Sequence, residues 1–166
     1  MNKITGDCEG GCACGYVRYK IVSEPLIVHC CHCRQCQRQT GASFALNALF
    51  EASKVELLSG KVNEIMVPSP SGRGQKIARC PKCEVAIWSN YYMMGIKDLI
   101  RFIRVGTLDN PDLLAPDVHI YTESKQPWIN LSAEDLVVKQ FYDFDTTWTS
   151  DKLEIRQSLL AKVVDK

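Results

Sequence analysis

Cysteine placement constrains this chain more than any other feature. Seven of its nine cysteines fall into tight groups: Cys12-x-Cys14, Cys31-His32-Cys33-Arg34-Gln35-Cys36 and Cys80-Pro81-Lys82-Cys83. At one- and two-residue spacings the chain can curl so that both sulfurs reach about 2.3 Å from a metal ion. Seven ligands divide into a closed set of four, the form of a structural zinc site, and a set of three that leaves one position open. Cys12/Cys14 and Cys80/Cys83 lie far apart in sequence, so an ion shared by them ties the first strand to the middle of the chain. Gly10-Gly11 and Gly15 bracket the first pair and permit the tight turn it needs. Buried free thiols or a redox dithiol are the alternatives for these four. Glu84 follows Cys83 where a knuckle favours a left-handed backbone and usually places glycine; keeping that conformation costs about 1 kcal/mol. Zinc binding is worth far more.

Composition fits this reading. With 166 residues and 46% hydrophobic content, the chain can bury a real core in one domain, so metal reinforces the fold and does not replace it. No apolar stretch approaches the roughly 18 residues of a membrane span. Met1 to Asp7 show no apolar signal region, so the expected location is the cytoplasm. In that reducing compartment dense cysteine is metal-binding or catalytic more often than disulfide-bonded, and nine is an odd number for a disulfide framework. A formal charge of +1, from 20 basic and 19 acidic residues with no polybasic run, gives no electrostatic grip on nucleic acid.

Periodicity predicts short strands. Val17, Tyr19 and Ile21 alternate with Arg18 and Lys20, as a half-buried strand requires, and Phe44, Leu46, Ala48 and Phe50 repeat the pattern. Leu99, Arg101, Ile103 and Val105 follow in a mixed form. Residues 54–58, the turn at Ser59-Gly60 and residues 61–67 read as a hairpin. Residues 68–74 and 107–111 read as turn-rich loops. Ser150-Asp151 caps a predicted helix over about 152–164 with Leu153, Leu159, Leu160, Val163 and Val164 on one face; it reads as a packing or dimer-contact element, which leaves a homodimer open. Before it, Phe141, Tyr142, Phe144 and Trp148 form an aromatic connector suited to covering a core or pocket. The expected architecture is one antiparallel β-rich domain with a C-terminal helical appendage.

Cys31, Cys33 and Cys36 sit within one short loop, which favours a single ion. Zinc held by three thiolates has a vacant position that can take water, a carboxylate or a thiolate, and bound oxygen is polarised there. Chemistry at a carbon–sulfur bond suits such a site. A fourth ligand would instead make it structural. His32 is the nearest candidate, but in an extended loop it points away from the face shared by Cys31 and Cys33, and Cys30 is out of phase for the same reason. Cys30 therefore reads as a small buried hydrophobe, Cys8 as a spare thiol in a mobile N-terminus, and His29 as a satisfied strand residue.

The chain resembles the family of glutathione-dependent formaldehyde-activating enzymes, which shares its domain with centromere protein V. The matching elements are Gly11-Cys12-x-Cys14-Gly15-x-Val17-Arg18-Tyr19, Cys31-His32-Cys33-x-x-Cys36-x-x-x-Thr40-Gly41 and Arg79-Cys80-x-x-Cys83. Val105-Gly106-Thr107-Leu108-Asp109 and Pro116-x-x-His119-Ile120 with Lys125 and Trp128 complete them. The resemblance implies an Mss4-like fold of antiparallel β-sheets stapled by zinc, a zinc-binding domain over residues 1–131, and leaves residues 132–166 as a C-terminal extension packing on the same domain. It also implies two zinc ions per chain: a structural one on Cys12, Cys14, Cys80 and Cys83, and a reactive one on Cys31, Cys33 and Cys36. The implied activity is that of a carbon–sulfur lyase joining glutathione, as cosubstrate, to formaldehyde, or acting on a related small-molecule thiol adduct. The carboxylates of such a partner need cationic anchors, for which Arg34, Arg38 and Arg73 are candidates. His119 could transfer a proton or only orient a hydrogen bond, and Trp128 is expected to pack the core. The rival reading is a non-catalytic, zinc-stabilised protein-binding module of the same fold.

Overall fold

The computed structural model describes residues 8–164. Its first sheet has three antiparallel strands: β1 (Cys8–Gly11), β2 (Arg18–Ile21) and β5 (Val55–Ser59), in the order β1-β2-β5. The second has seven: β3 (Ile27–Cys31), β4 (Ala45–Glu51), β6 (Asn63–Val67), β7 (Gln75–Arg79), β8 (Ala86–Tyr91), β9 (Ile100–Arg104) and β10 (Val118–Ile120). Their order is β10-β3-β4-β9-β8-β7-β6, antiparallel throughout except where β10 runs parallel to β3. Helix α1 (Arg34–Thr40) follows β3, and α2 (Phe144–Thr147) and α3 (Ser150–Val164) close the chain. The expected mainly β architecture of folded antiparallel sheets is what the structure shows.

Alternation along the strands builds two cores, one on each face of the large sheet. Val28, Ala48, Phe50 and Ile103 pack with Val17, Tyr19 and Ile21 of the small sheet, and with Trp88, whose ring meets Tyr19 edge-on at 6.2 Å. Ile27, Leu49 and Phe102 face the other way and pack with Val118, Ile120, Tyr142, Trp148 and Leu159. Burying each such side chain is worth roughly 1.5–3 kcal/mol, so both faces contribute comparably to the fold.

Four expectations need correction. Residues 54–58 and 61–67 do not form a hairpin: β5 pairs with β2 in the small sheet, while β6 pairs with β7 in the large one. Gly60 turns the chain between sheets at φ 74°, so close to Tyr16 that a Cβ would lie 2.3 Å from the Tyr16 carbonyl oxygen. Cys8 lies in β1, paired with Ile21 and buried in the inter-sheet core. Trp128 is 68% exposed, because the Lys125 ammonium holds the carbonyls of Gln126 and Ile129 in a turn that leaves the indole outside. Helix α3 begins at Ser150, two residues early, with the Leu153 N–H bonded to the Thr149 carbonyl at 3.0 Å. On its expected face Leu159 is buried and Leu153, Leu160 and Val163 are half-buried, while the Val164 side chain and Met1 to Asp7 lie outside the described residues.

Candidate functional site

The four-thiol group forms where the two sheets meet. Cys12 and Cys14 occupy the turn after β1, closed by the Gly15 N–H on the Cys12 carbonyl. Cys80 and Cys83 occupy the knuckle between β7 and β8, where the Glu84 N–H bonds to the Cys80 carbonyl and Glu84 adopts φ 59°. All four sulfurs lie within 4.8 Å of one another, with Cys12–Cys14 at 3.5 Å and Cys14–Cys80 at 3.8 Å. Four sulfurs about 2.3 Å from a tetrahedral ion lie about 3.8 Å apart, so this donor set fits zinc as it stands. Arg18 and Tyr19 brace the same region: the Arg18 guanidinium bonds to Asp109 at 2.7 Å and the Tyr19 hydroxyl pairs with Thr107 at 2.8 Å.

The three-thiol group is built by α1. Cys31 ends β3, Cys33 is the N-cap of the helix, and Cys36 lies in its first turn; the Cys33 sulfur accepts the Cys36 N–H at 3.3 Å. Thr40 donates to the Cys36 carbonyl at 2.8 Å, and Gly41 ends the helix at φ 68°. These bonds account physically for the spacing of the Cys-x-Cys-x-x-Cys-x-x-x-Thr-Gly segment. Cys31, Cys33 and Cys36 also lie within 4.8 Å of one another. Hydrogen bonds from Cys31 and Cys36 hold the Cys33 thiol down at about 3, while the contact with Cys33 pushes Cys31 up. Three convergent soft donors of this kind fit a soft divalent cation.

No other cysteine, histidine or carboxylate among the described residues joins these three. Cys30 and His32 turn to the opposite face of the strand and group with His119. There the His32 Nε2 is 3.0 Å from the His119 Nδ1 and 3.5 Å from the Cys30 sulfur, and the His119 Nε2 lies 3.7 Å from Asp135. The two rings are within hydrogen-bond reach of each other, the Asp135 contact is at ion-pair distance, and the His32 Nδ1 is buried with no partner among the described residues. Burial lowers His119, opposed by the Asp135 charge; burial followed by the charges of His119 and Lys125 lowers His32 to about 4.

Beside the three sulfurs lies a cavity of about 290 Å³. Its floor is His29, Cys31, Cys36 and Asn47; its walls are Tyr91, Met93, Phe102, Ile120, Tyr121 and Phe141; its rim is Cys33, Gln35 and Ser69 to Ser71. The Tyr91 hydroxyl is 3.5 Å from the Cys36 sulfur. His29 is held by the Tyr142 hydroxyl at 2.8 Å, which also accepts the Trp148 indole N–H at 2.9 Å, and burial depresses His29 to about 3.

The structure brings the seven predicted ligands into their two groups and leaves the four predicted substrate contacts off the cavity lining. Arg34 and Arg38 border a separate shallow depression with Gln37, Gly41 and Gln126, and Arg34 donates to Gln37 at 2.8 Å. Arg73 is exposed two residues beyond the rim at Ser71, and His119 lies in the Cys30/His32 group. Tyr91 and Phe141 were not singled out for the site. Phe141 belongs to the aromatic connector noted in the sequence, whereas nothing local marks Tyr91, which reaches the thiols only through the packing of β8.

Together these features define a two-sheet β protein with a group of four and a group of three convergent cysteines that could each hold a metal ion, the latter beside a small-molecule cavity. The chain belongs to the family described as glutathione-dependent formaldehyde-activating enzyme, which matches residues 7–124. It is 26% identical over 133 residues, 76% of this chain and 82% of the relative, to a Halomonas elongata protein described as "Putative glutathione-dependent formaldehyde-activating enzyme". A solved structure of a Rhodobacter sphaeroides protein aligns at 21% identity with a TM-score of 0.47, covering 63% of this chain and 92% of that one. No helix among the described residues is long and apolar enough to cross a membrane.

Proposed function

We propose that the protein is a zinc-dependent carbon–sulfur lyase acting on the adduct of a small thiol with an aldehyde. The reference reaction is the joining of glutathione and formaldehyde to S-hydroxymethylglutathione, as the family description suggests. The observation that carries this reading is a three-sulfur group with no fourth protein ligand among the described residues, facing a cavity of small-molecule size. That cavity also favours an enzyme over a protein-binding module, which needs an exposed surface and no internal pocket.

Zinc on Cys31, Cys33 and Cys36 would lower the pKa of an incoming thiol and supply a nucleophilic sulfur at neutral pH. In the forward direction the sulfur electron pair forms the bond to the carbonyl carbon, the C=O pair moves onto oxygen, and that oxygen takes up the proton the thiol gave away. Tyr91, a cavity residue whose hydroxyl is 3.5 Å from the Cys36 sulfur, would donate a hydrogen bond to this oxygen, the point where negative charge develops. The aromatic walls hold the carbon and sulfur together and exclude water. Arg73, next to the Ser71 rim, is the proposed outer anchor for a carboxylate. The function of Arg34, Arg38 and His119 as substrate contacts would require binding beyond the cavity, across α1 or behind β3.

Exchange NMR on zinc-loaded protein with formaldehyde and a thiol tests the reading. Adduct formation and breakdown should both accelerate over the protein-free mixture, and Cys33→Ala should abolish the acceleration. Unchanged exchange across glutathione and simpler thiols would overturn it.

A further inference from the structure

Apart from its sulfurs, the described residues that line the cavity give a ligand no ionic partner, and Arg73 stands outside it, two residues beyond the rim at Ser71. Aspartate, glutamate, lysine and arginine are all missing from its lining. Its one histidine, His29, is buried and engaged by the Tyr142 hydroxyl at 2.8 Å. Arg104 is buried and outside the lining; it donates to the side-chain oxygen of the lining residue Asn47 at 2.6 Å, while its Nε has no hydrogen-bond partner among the described residues. Glutathione carries two carboxylates and an ammonium, and groups of that kind lose their hydration in an apolar pocket with nothing to replace it.

The aromatic wall is completed by a segment beyond the part of the chain that matches the family. Residues 136–140 run beside β10, with the His119 N–H on the Leu136 carbonyl at 2.8 Å and the Tyr121 N–H on the Gln140 carbonyl at 2.7 Å. This strap delivers Phe141 to the cavity, where its ring stacks on Tyr142 at 4.5 Å and meets His29 edge-on at 5.8 Å.

We propose that the cavity selects thiols, and thiol–aldehyde adducts, whose sulfur carries an uncharged aryl or alkyl group, and that Phe141 sets this preference. This rests on the reading of Cys31, Cys33 and Cys36 as the ligands of an ion with an open position. It departs from the reference reaction in the thiol: glutathione fits the chemistry of the sulfurs and not the chemistry of the walls. A ring or short alkyl chain lies against Phe102, Ile120 and Phe141 while its sulfur reaches the three cysteines, and contact with such walls is favourable in proportion to the apolar area covered.

Titrating full-length cobalt-substituted protein with benzyl mercaptan and with glutathione, and following the thiolate-to-cobalt charge-transfer band, tests the proposal. Benzyl mercaptan should bind at least about tenfold more tightly. Phe141→Asp should erase most of that difference. Ser71→Lys, an exposed rim substitution that leaves the core intact, should narrow it by strengthening glutathione. Equal affinities, tighter glutathione, or a preference unmoved by both substitutions would overturn the apolar selection while leaving the open site standing. No band with either thiol would overturn the open-site reading and this proposal with it.

Discussion

Tyr91 shows what a single hydroxyl can decide. It sits at the end of β8, its ring 4.9 Å from Phe102 and its oxygen against Cys36. Tyr91→Phe keeps the packing and removes the donor, so turnover should fall about tenfold or more with KM little changed, as expected when an interaction is made chiefly in the transition state. A larger change in KM than in kcat would place Tyr91 in ground-state binding instead. His29 gives a pH-dependent prediction. Its ordinary value is about 6.5 and burial lowers it to about 3. Between these values the unfolded chain binds a proton that the native one does not, so this contribution to stability is complete above about pH 6.5 and is lost as pH falls toward 3. Melting temperatures from pH 7.5 to 5 should therefore drop more steeply in the native protein than in His29→Leu; parallel curves would contradict the assignment. The seven sulfur ligands were legible in the sequence because spacing within a turn is local information. Tyr91 was not, because the backbone between it and Cys36 passes through four strands and conveys no periodicity about their meeting.

At the scale of elements, the knuckle between β7 and β8 carries a measurable local strain. Glu84 occupies the left-handed region, and its carbonyl accepts the Arg79 guanidinium at 2.8 Å. Glu84→Gly should raise stability by about 1 kcal/mol, read as a shift of the denaturant midpoint at constant slope. No shift would mean that the Arg79 bond and the metal-site turn already offset the strain. The same comparison shows which elements sequence could predict. The alternation at 17–21 and 44–50 became β2 and β4, since one buried face enforces period two. The hairpin expected from 54–67 failed because loop chemistry at Ser59-Gly60 reports a turn and not its destination. Gly60 is needed for its close approach to Tyr16, which sends the chain to the other sheet.

At the scale of the whole molecule, the four-thiol group lies where its two sheets meet, and we propose that it ties them together. Cys12 and Cys14 follow a strand of the small sheet, while Cys80 and Cys83 join two strands of the large one. Metal analysis should find two zinc ions per chain. Cys33→Ala should lose one and keep a cooperative melt, whereas Cys80→Ser should lose one and melt early, and a strong chelator should act as both changes together. Equal stability of the two variants would remove the distinction between a structural and a reactive centre.

The large sheet also keeps the two sulfur groups apart. Cys12 and Cys80 belong to the core on one face, Cys31 and Cys36 to the core on the other. A disulfide needs Cα atoms within about 7 Å. Oxidation can therefore pair sulfurs within a group but not across the sheet. Damage by peroxide would stay confined to the compartment where it begins, and mapping disulfides after mild peroxide treatment should recover pairs within Cys31/Cys33/Cys36 and within Cys12/Cys14/Cys80/Cys83, with none between them. A chain this rich in thiols thus has an insulating layer between its two sulfur groups, so that disulfides formed in one should be reversed by simple reduction without exchange into the other.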